Sequence, residues 1–408
     1  MATLNPLAQA AILRRAFQMA RASFWFKPAC LVVLAVVLAW LGHVLDNWDA
    51  LDPPLPDALA EIEIEGARAL LSTMASAIMG VTGVTFSVTI VAVTYASSQH
   101  GPRLVTNFLR DRGAQWSLGI LISNFVFALL TLLYLDANAD SVPKLSVGLA
   151  LIWTLASVGT IIYFVHHVPE IINVANINAG LGNRLIEMIR KQIDGQDDTD
   201  TEDEEVDEIL QGEPTVVAHH TSAGYIQAIS FERLRDLAER ENLVLRFHAR
   251  PGAFTDPSQP LVSAWGETDE AALRDAIDDA VLIGSQPTED QTVSYLADKL
   301  VEMTALALSP GVNDPFTAID CLNRLAAGLA VALTYRGGLE PREGGRVRYP
   351  LLDFETLYSR TFPAAMDYVV TDRIVREHAI GLLEHLTSLD TERDRSGLLR
   401  DLRRLRAA

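Results

Sequence analysis

Small and hydroxyl-bearing side chains recur within one long apolar segment, "MGVTGVTFSVTIVAVTYASSQHGPR", which runs from Met79 to Arg103 and carries no charge before Arg103. Hydroxyl and backbone groups bind water, ions or another helix, whereas a segment that only dissolves in lipid needs none of them. At 100° per residue on a helix, one set of small and hydroxyl-bearing residues, from this segment and the turns just before it, falls within an arc of roughly 80°. We call this set the small-residue stripe; it comprises Thr73, Ser76, Gly80, Gly83, Ser87, Thr94 and Ser98.

Two interpretations of the small-residue stripe are open. Small residues let helix backbones approach closely, so the stripe suits a tight helix–helix seam. The same residues suit a surface that faces water and lines a pore or vestibule in an oligomer. A second, shorter polar group on the far side of the helix comprises Thr82, Thr85 and Thr89.

A second candidate site lies in the segment "ALSPGVNDPFTA". Asp314 before Pro315 predicts a helix N-cap followed by proline at the first helical position. The alternative is a ligand site at this helix N-terminus, since such a terminus favours anions. That site would be formed by Ser309, Asn313 and Asp314.

Four apolar segments are long enough to span a membrane as helices. They are approximately 28–45, 70–96, 117–135 and 145–168, and none carries Asp, Glu, Lys or Arg in its interior. A proton-coupled pump or a voltage-gated channel is therefore disfavoured. The polar side chain of Asn124, in the third segment, is expected to bond to a neighbouring helix.

Charges in the short loops predict the orientation of these spans. Basic residues precede the first span and separate the second from the third, while the other two loops, 46–65 and 136–140, are acidic. The positive-inside rule then places both termini in the cytoplasm, in a multi-pass protein of the cytoplasmic (inner) membrane. The basic residues are Arg14, Arg15, Arg21, Lys27, Arg103, Arg110 and Arg112.

The predicted fold is an α-helical membrane domain of four transmembrane helices followed by a mixed α/β cytoplasmic region. Short β-like runs such as "AGYIQAI" and "LVLRFHA" indicate a small β-rich module, and the chain after it has a helical pattern. The predicted parts are an amphipathic segment 1–27, the membrane domain 28–168, a helix and acidic linker 169–212, the β-rich module 213–266 and a helical domain 267–408.

Composition and motifs exclude several functions. The net charge of −19 argues against a nucleic-acid partner, because phosphates would be repelled, although a halophilic source would explain the acidity equally. The chain has no phosphate-binding glycine loop, nucleophile elbow, HExxH or CxxC, so we expect neither an enzyme nor a cofactor. His219, His220 and His248 are weak evidence for a metal site, and we predict none.

The chain resembles a family of bacterial predicted membrane proteins, the domain of unknown function 2254. Three segments carry the resemblance: "FSVTIVAVTYASSQHGPR", "GYIQAI" and "ALSPGVNDPFTA". The family pattern has Arg-Thr and then Gln-Asp before the last segment, where this chain has Pro287-Thr288 and Gln291-Thr292. The resemblance implies a multispan membrane protein with a cytoplasmic domain and implies no activity.

We hypothesise a homo-oligomeric channel or pore-like protein in which the second span lines or seals the pathway. Four helices are too few to enclose a pathway in one chain, which favours an oligomer. The expected partners are the lipid bilayer, further copies of the chain, and small ions or solutes. The alternative is a membrane-anchored sensor or scaffold whose cytoplasmic domain binds a ligand or protein.

Overall fold

The chain forms two compact units, Met1–Asn173 and Val174–Ala408. The computed structural model describes residues 25–46, 62–100, 111–135, 142–196, 204–288, 292–340, 345–389 and 393–408. Most of the predicted amphipathic segment 1–27, and residues 197–203 of the predicted acidic linker, lie outside the described residues. The side chain of Ser98 also lies outside them, so the description of the small-residue stripe ends at Thr94.

The first unit consists of four long apolar helices. They are α1 (Phe26–Asp46), α2 (Ile64–His100), α3 (Arg112–Tyr134) and α4 (Lys144–Ile172). Each contains most or all of one predicted span and extends beyond it. Helix α3 packs against the other three, and its Leu121 and Phe127 side chains are fully buried. The interior of the unit is therefore filled around α3.

Hydrogen bonds from the end of α1 fix the start of α4. The preceding residue, Pro143, provides no side-chain cap for this helix. Instead the Asp46 carboxylate, at the end of α1, accepts hydrogen bonds from the backbone N–H of Leu145 at 2.9 Å and of Ser146 at 3.1 Å. It also accepts one from the Ser146 hydroxyl at 2.5 Å. Asp46 thus caps a helix about one hundred positions later in the chain.

We expect Asp46→Ala to destabilise the first unit by about 1–3 kcal/mol, because it leaves the first N–H groups of α4 without their acceptor. Unfolding of the detergent-solubilised protein with increasing denaturing detergent measures this loss. Asp46→Asn keeps one oxygen acceptor and should lose less. Equal unfolding midpoints for the parent and Asp46→Ala would contradict this role for the carboxylate.

The second unit combines ten helices, counted over the described residues, with two small sheets. Helix α10 lies among α5, α9 and α13, and its Leu322, Leu325 and Leu329 side chains are buried. The helices are α5 (Val174–Gln196), α6 (Glu204–Leu210), α7 (Phe231–Arg240), α8 (Glu270–Ala280), α9 (Val293–Ala307), α10 (Pro315–Thr334), α11 (Phe354–Ser359), α12 (Phe362–Val369), α13 (Arg373–Ser388) and α14 (Ser396–Ala407).

The two sheets share one core in the β-rich part of the second unit. The first has the order β1-β5-β3-β7 and the second β4-β2-β6; all strand pairs are antiparallel except β3 with β7. Ile226, Leu245 and Ile277 belong to the buried cluster. The strands are β1 (Val216–Ala218), β2 (Gly224–Ile229), β3 (Val244–Phe247), β4 (Phe254–Thr255), β5 (Val262–Trp265), β6 (Val281–Gly284) and β7 (Val347–Arg348).

The structure differs from the sequence-based prediction in two respects. Strands β6 and β7 come from residues 267–408, where the pattern predicted helices; runs of two to four residues have no period that distinguishes a strand from a helix. In addition, a fifth helix, Pro315–Gly337 in the second unit, meets the length and hydropathy criteria for a membrane span. This helix is not among the four predicted spans.

Candidate functional site

The small-residue stripe lies on the outer surface of the chain. Thr73, Ser76, Gly80, Gly83, Ser87 and Thr94 are all exposed along α2. A Cβ atom added at Gly80 or Gly83 would meet nothing within 4 Å. Among the described residues, the stripe is therefore not a contact between helices of the same chain, and its surface faces outward.

The second polar group of α2 faces the neighbouring helices instead. Thr82, Thr85 and Thr89 are buried in the first unit, on the side of α2 opposite to the stripe. The hydroxyls of Thr82 and Thr89 donate to the carbonyls four residues earlier, at 2.7 and 2.8 Å. On the side of α2 that packs within the chain, carbonyl groups of α2 itself thus accept the hydrogen bonds of these two hydroxyls.

The hydroxyls of the stripe fall into two kinds. Thr73 and Thr94 donate to their own helix, to Ala69 O at 2.7 Å and to Ile90 O at 2.9 Å. Ser76 and Ser87, by contrast, have no hydrogen-bond partner within the described part of the chain. A hydroxyl facing hydrocarbon without a partner is unfavourable, so these two serines favour water or a second protein surface over lipid.

The turn at Ser309–Asp314 uses most of its polar groups internally. Asp314 caps α10: its carboxylate accepts from the Thr317 N–H at 3.1 Å and from the Thr317 hydroxyl at 2.6 Å. The Ser309 hydroxyl donates to Leu306 O at 2.6 Å. Asn313 is exposed and has φ 50°, a left-handed conformation that asparagine tolerates. The capping interpretation is confirmed, and the ligand interpretation stays a prediction.

The other polar residues singled out in the sequence form contacts within their own units. Asn124 donates from Nδ2 to Ser157 Oγ at 2.9 Å, which confirms the predicted helix–helix hydrogen bond. His220 pairs with Asp278 at 3.3 Å, and His248 contacts Ser263 Oγ at 2.8 Å. Among the residues that the structure describes, no group of three or more His, Cys, Asp or Glu is placed to hold a metal ion.

A cavity of about 410 Å³ between α3 and α4 was not predicted from the sequence. Arg112, Trp116 and Ser117 line it from α3, and Gly159 and Tyr163 from α4. The residues from the two helices are about forty or more positions apart in sequence. Only the antiparallel packing of the two helices brings them together, so no local motif signals the cavity.

A polar contact holds the two helices together beside this cavity. His167 Nε2 lies 3.0 Å from Asp111 Oδ1, and the same Oδ1 atom accepts a hydrogen bond from the Ala114 N–H at 2.7 Å. The Tyr163 ring stacks on His167 with 4.9 Å between centroids. A Cβ atom at Gly113 would collide with His167 and Tyr163, so any larger residue there would displace these two side chains.

The four long apolar helices of the first unit define a multi-pass membrane protein. The second unit adds an α/β part to it. The chain belongs to the family described as "Predicted membrane protein (DUF2254)", which it matches over residues 21–385.

Among curated proteins, the chain is similar to an uncharacterized protein of Mycobacterium bovis and to an uncharacterized protein of Mycobacterium tuberculosis. Each is 26% identical over 274 residues, which cover 64% of this chain and 51% of the relative. The chain thus spans about half the length of the curated relatives it matches. No solved structure matches the chain significantly.

Proposed function

We propose that the protein is a homo-oligomeric, pore-like protein of the cytoplasmic membrane, with α2 lining or sealing the pathway between copies. The observation that carries this proposal is the outward position of the small-residue stripe. Among the described residues, it combines two glycines at which an added Cβ atom would meet nothing within 4 Å with two serines that lack hydrogen-bond partners. The second unit would form a cytoplasmic vestibule or regulatory ring, and the proposal assigns no enzymatic activity.

Packing within the first unit supports a pathway between copies rather than through one chain. Helix α3 contacts α1, α2 and α4, and fully buried Leu121 and Phe127 fill the space between them. A polar surface remains on the outside of α2. Such a surface becomes a continuous lining only when several copies present it to one axis.

The proposed topology has four spans, α1 to α4, with both termini in the cytoplasm. The distribution of basic and acidic loops supports this orientation. The fifth apolar helix, which begins at Pro315, is half-buried and packs against α5 and α9 of its own unit. We therefore assign it to the core of the second unit rather than to the membrane.

Cysteine accessibility in intact membranes tests the proposal. Single cysteines across Thr73–Ser98 are introduced after the native Cys30 and Cys321 are replaced. Of these two, Cys321 is the less reactive, because burial raises the pKa of its thiol to about 12. A water-soluble thiol reagent should label positions 76, 80, 83 and 87 with helical periodicity. Cysteines at 82, 85 and 89 are buried controls and should stay unlabelled.

Protection of the stripe would contradict a water-lined pathway. If positions 76, 80, 83 and 87 are unlabelled but cross-link between copies, the stripe is a packing seam. That result favours the alternative of a membrane-anchored sensor or scaffold. The compact second unit, Val174–Ala408, supports that alternative because it has its own buried core. A fragment with these bounds that stays monomeric and binds nothing in a broad ligand screen would count against it.

A further inference from the structure

The cavity between α3 and α4 changes from cationic to apolar along its length. Arg112, Trp116 and Ile120 line it at four-residue spacing, so one face of α3 forms a wall of roughly 12 Å. Gly159, Thr160 and Tyr163 line the opposite wall on α4. Because the helices are antiparallel, Tyr163 lies toward the Arg112 end. The cavity is therefore an open groove with a charged, aromatic end at Arg112, which we call the mouth, and a mostly apolar end at Ile120 and Gly159.

Among the described residues, the mouth carries more positive than negative charge, because Arg112 and Lys27 lie near the single carboxylate of Asp111. The Arg112 side chain is exposed and forms no ion pair with any residue that the structure describes. Lys27, at the start of α1, interacts electrostatically with both Arg112 and Asp111. The Asp111 carboxylate, which interacts with Lys27, is also held by His167 and the Ala114 N–H. An anionic group at the mouth would find two cations available.

A buried hydroxyl inside the cavity lacks a partner. Ser117 lines the cavity and is 1% exposed, and its Oγ atom forms no hydrogen bond within the described part of the chain. Burying a hydroxyl without a partner costs about 1–3 kcal/mol. A polar group of a bound molecule at this depth would remove that penalty.

We propose that this cavity binds an anionic phospholipid. The phosphate would lie between Arg112 and Lys27, a glycerol ester oxygen would accept from the Ser117 hydroxyl, and an acyl chain would follow Ile120 and Gly159. Trp116 and Tyr163 are about half exposed at the mouth, where aromatic residues prefer the headgroup region. A free phosphate ion would contact only the charged end. It would leave the apolar wall uncovered and the Ser117 hydroxyl without a hydrogen-bond partner.

Native mass spectrometry of the full chain in detergent tests this site. Binding of phosphatidylglycerol is compared with binding of phosphatidylcholine that carries the same acyl chains. Inorganic phosphate is then tested as a competitor of the bound phosphatidylglycerol. Arg112→Gln should weaken phosphatidylglycerol binding about fivefold, the effect of one basic residue near a charged lipid. Binding of phosphatidylcholine should be unchanged. Lys144→Gln is the matched control, because it removes one positive charge at the end of α4 far from the mouth. It should leave binding of both lipids unchanged.

A second variant tests the cavity without changing charge. A Cβ atom at Gly159 meets nothing within 4 Å, so Gly159→Leu fits the fold while filling the cavity. It should weaken binding of both lipids at least about fivefold. Equal phosphatidylglycerol binding by the parent, Arg112→Gln and Gly159→Leu would overturn the proposal. Displacement of the lipid by inorganic phosphate at similar concentrations would also overturn it. Neither measurement depends on whether the protein conducts.

Discussion

Gly83→Leu should reduce ion flux through the reconstituted protein by about tenfold or more while leaving the fold of the single chain intact. A leucine at this position has room within one chain, because a Cβ atom there meets nothing within 4 Å. It also has a higher helix propensity than glycine. If α2 borders the pathway, however, the leucine narrows it with an apolar constriction of the kind that gates by dewetting. Ser87→Leu should act in the same way.

Flux measured in proteoliposomes, together with the mass of the purified oligomer, separates the possible outcomes. Ala156→Leu is the matched control: it is the same small-to-leucine change at an exposed position of α4, away from the stripe. It should leave both flux and oligomer mass unchanged. A correctly assembled Gly83→Leu protein that conducts like the parent shows that the stripe does not border the pathway. If Gly83→Leu abolishes both the oligomer and the flux, the stripe is the contact between copies.

The four helices of the first unit were predictable because an uncharged apolar run of about 20 residues matches the thickness of a bilayer as a helix. Their ends were not. Helix α2 begins at Ile64 rather than near Leu70, and α4 continues past Val168 to Ile172. Hydropathy falls where the polar flanks begin, but the backbone hydrogen bonds of a helix continue as long as the flanking residues permit them. Hydropathy therefore locates an apolar helix better than it locates the ends of that helix.

The two polar sides of α2 show what periodicity leaves undecided. The spacing separated the stripe from Thr82, Thr85 and Thr89, yet both sides carry hydroxyls, and only packing against the neighbouring helices distinguishes them. The same limit applies to the Asp46 cap of α4 and to the cavity at Arg112. These features join residues from different helices, and no local pattern in either helix records its partner. The Asp314 cap, in contrast, is formed within four residues and was predicted.

Gly119→Leu should destabilise the first unit by about 3 kcal/mol, because α1 crosses α3 at this glycine. A Cβ atom there would lie 2.7 Å from Leu31 Cδ1 and 3.1 Å from Pro28 Cα. The side chain of Leu31 can rotate, but the Pro28 backbone moves only if the start of α1 moves with it. Overpacking of this kind typically costs about 1–3 kcal/mol, and backbone contact places this position at the upper end. Small residues permit such close helix approaches in membrane proteins.

Unfolding of the purified protein with increasing denaturing detergent, followed by tryptophan fluorescence, measures the effect. Gly159→Leu is the control, because it makes the same substitution in the same helix bundle where a Cβ atom meets no neighbour. Its midpoint should match that of the parent, whereas the midpoint of Gly119→Leu should fall. Gly119→Ala should be intermediate, since it adds only the Cβ atom. Equal midpoints for the two leucine variants would mean that α1 and α3 do not approach closely at Gly119. In that case the stability of the bundle would rest on the contacts of α3 with α2 and α4.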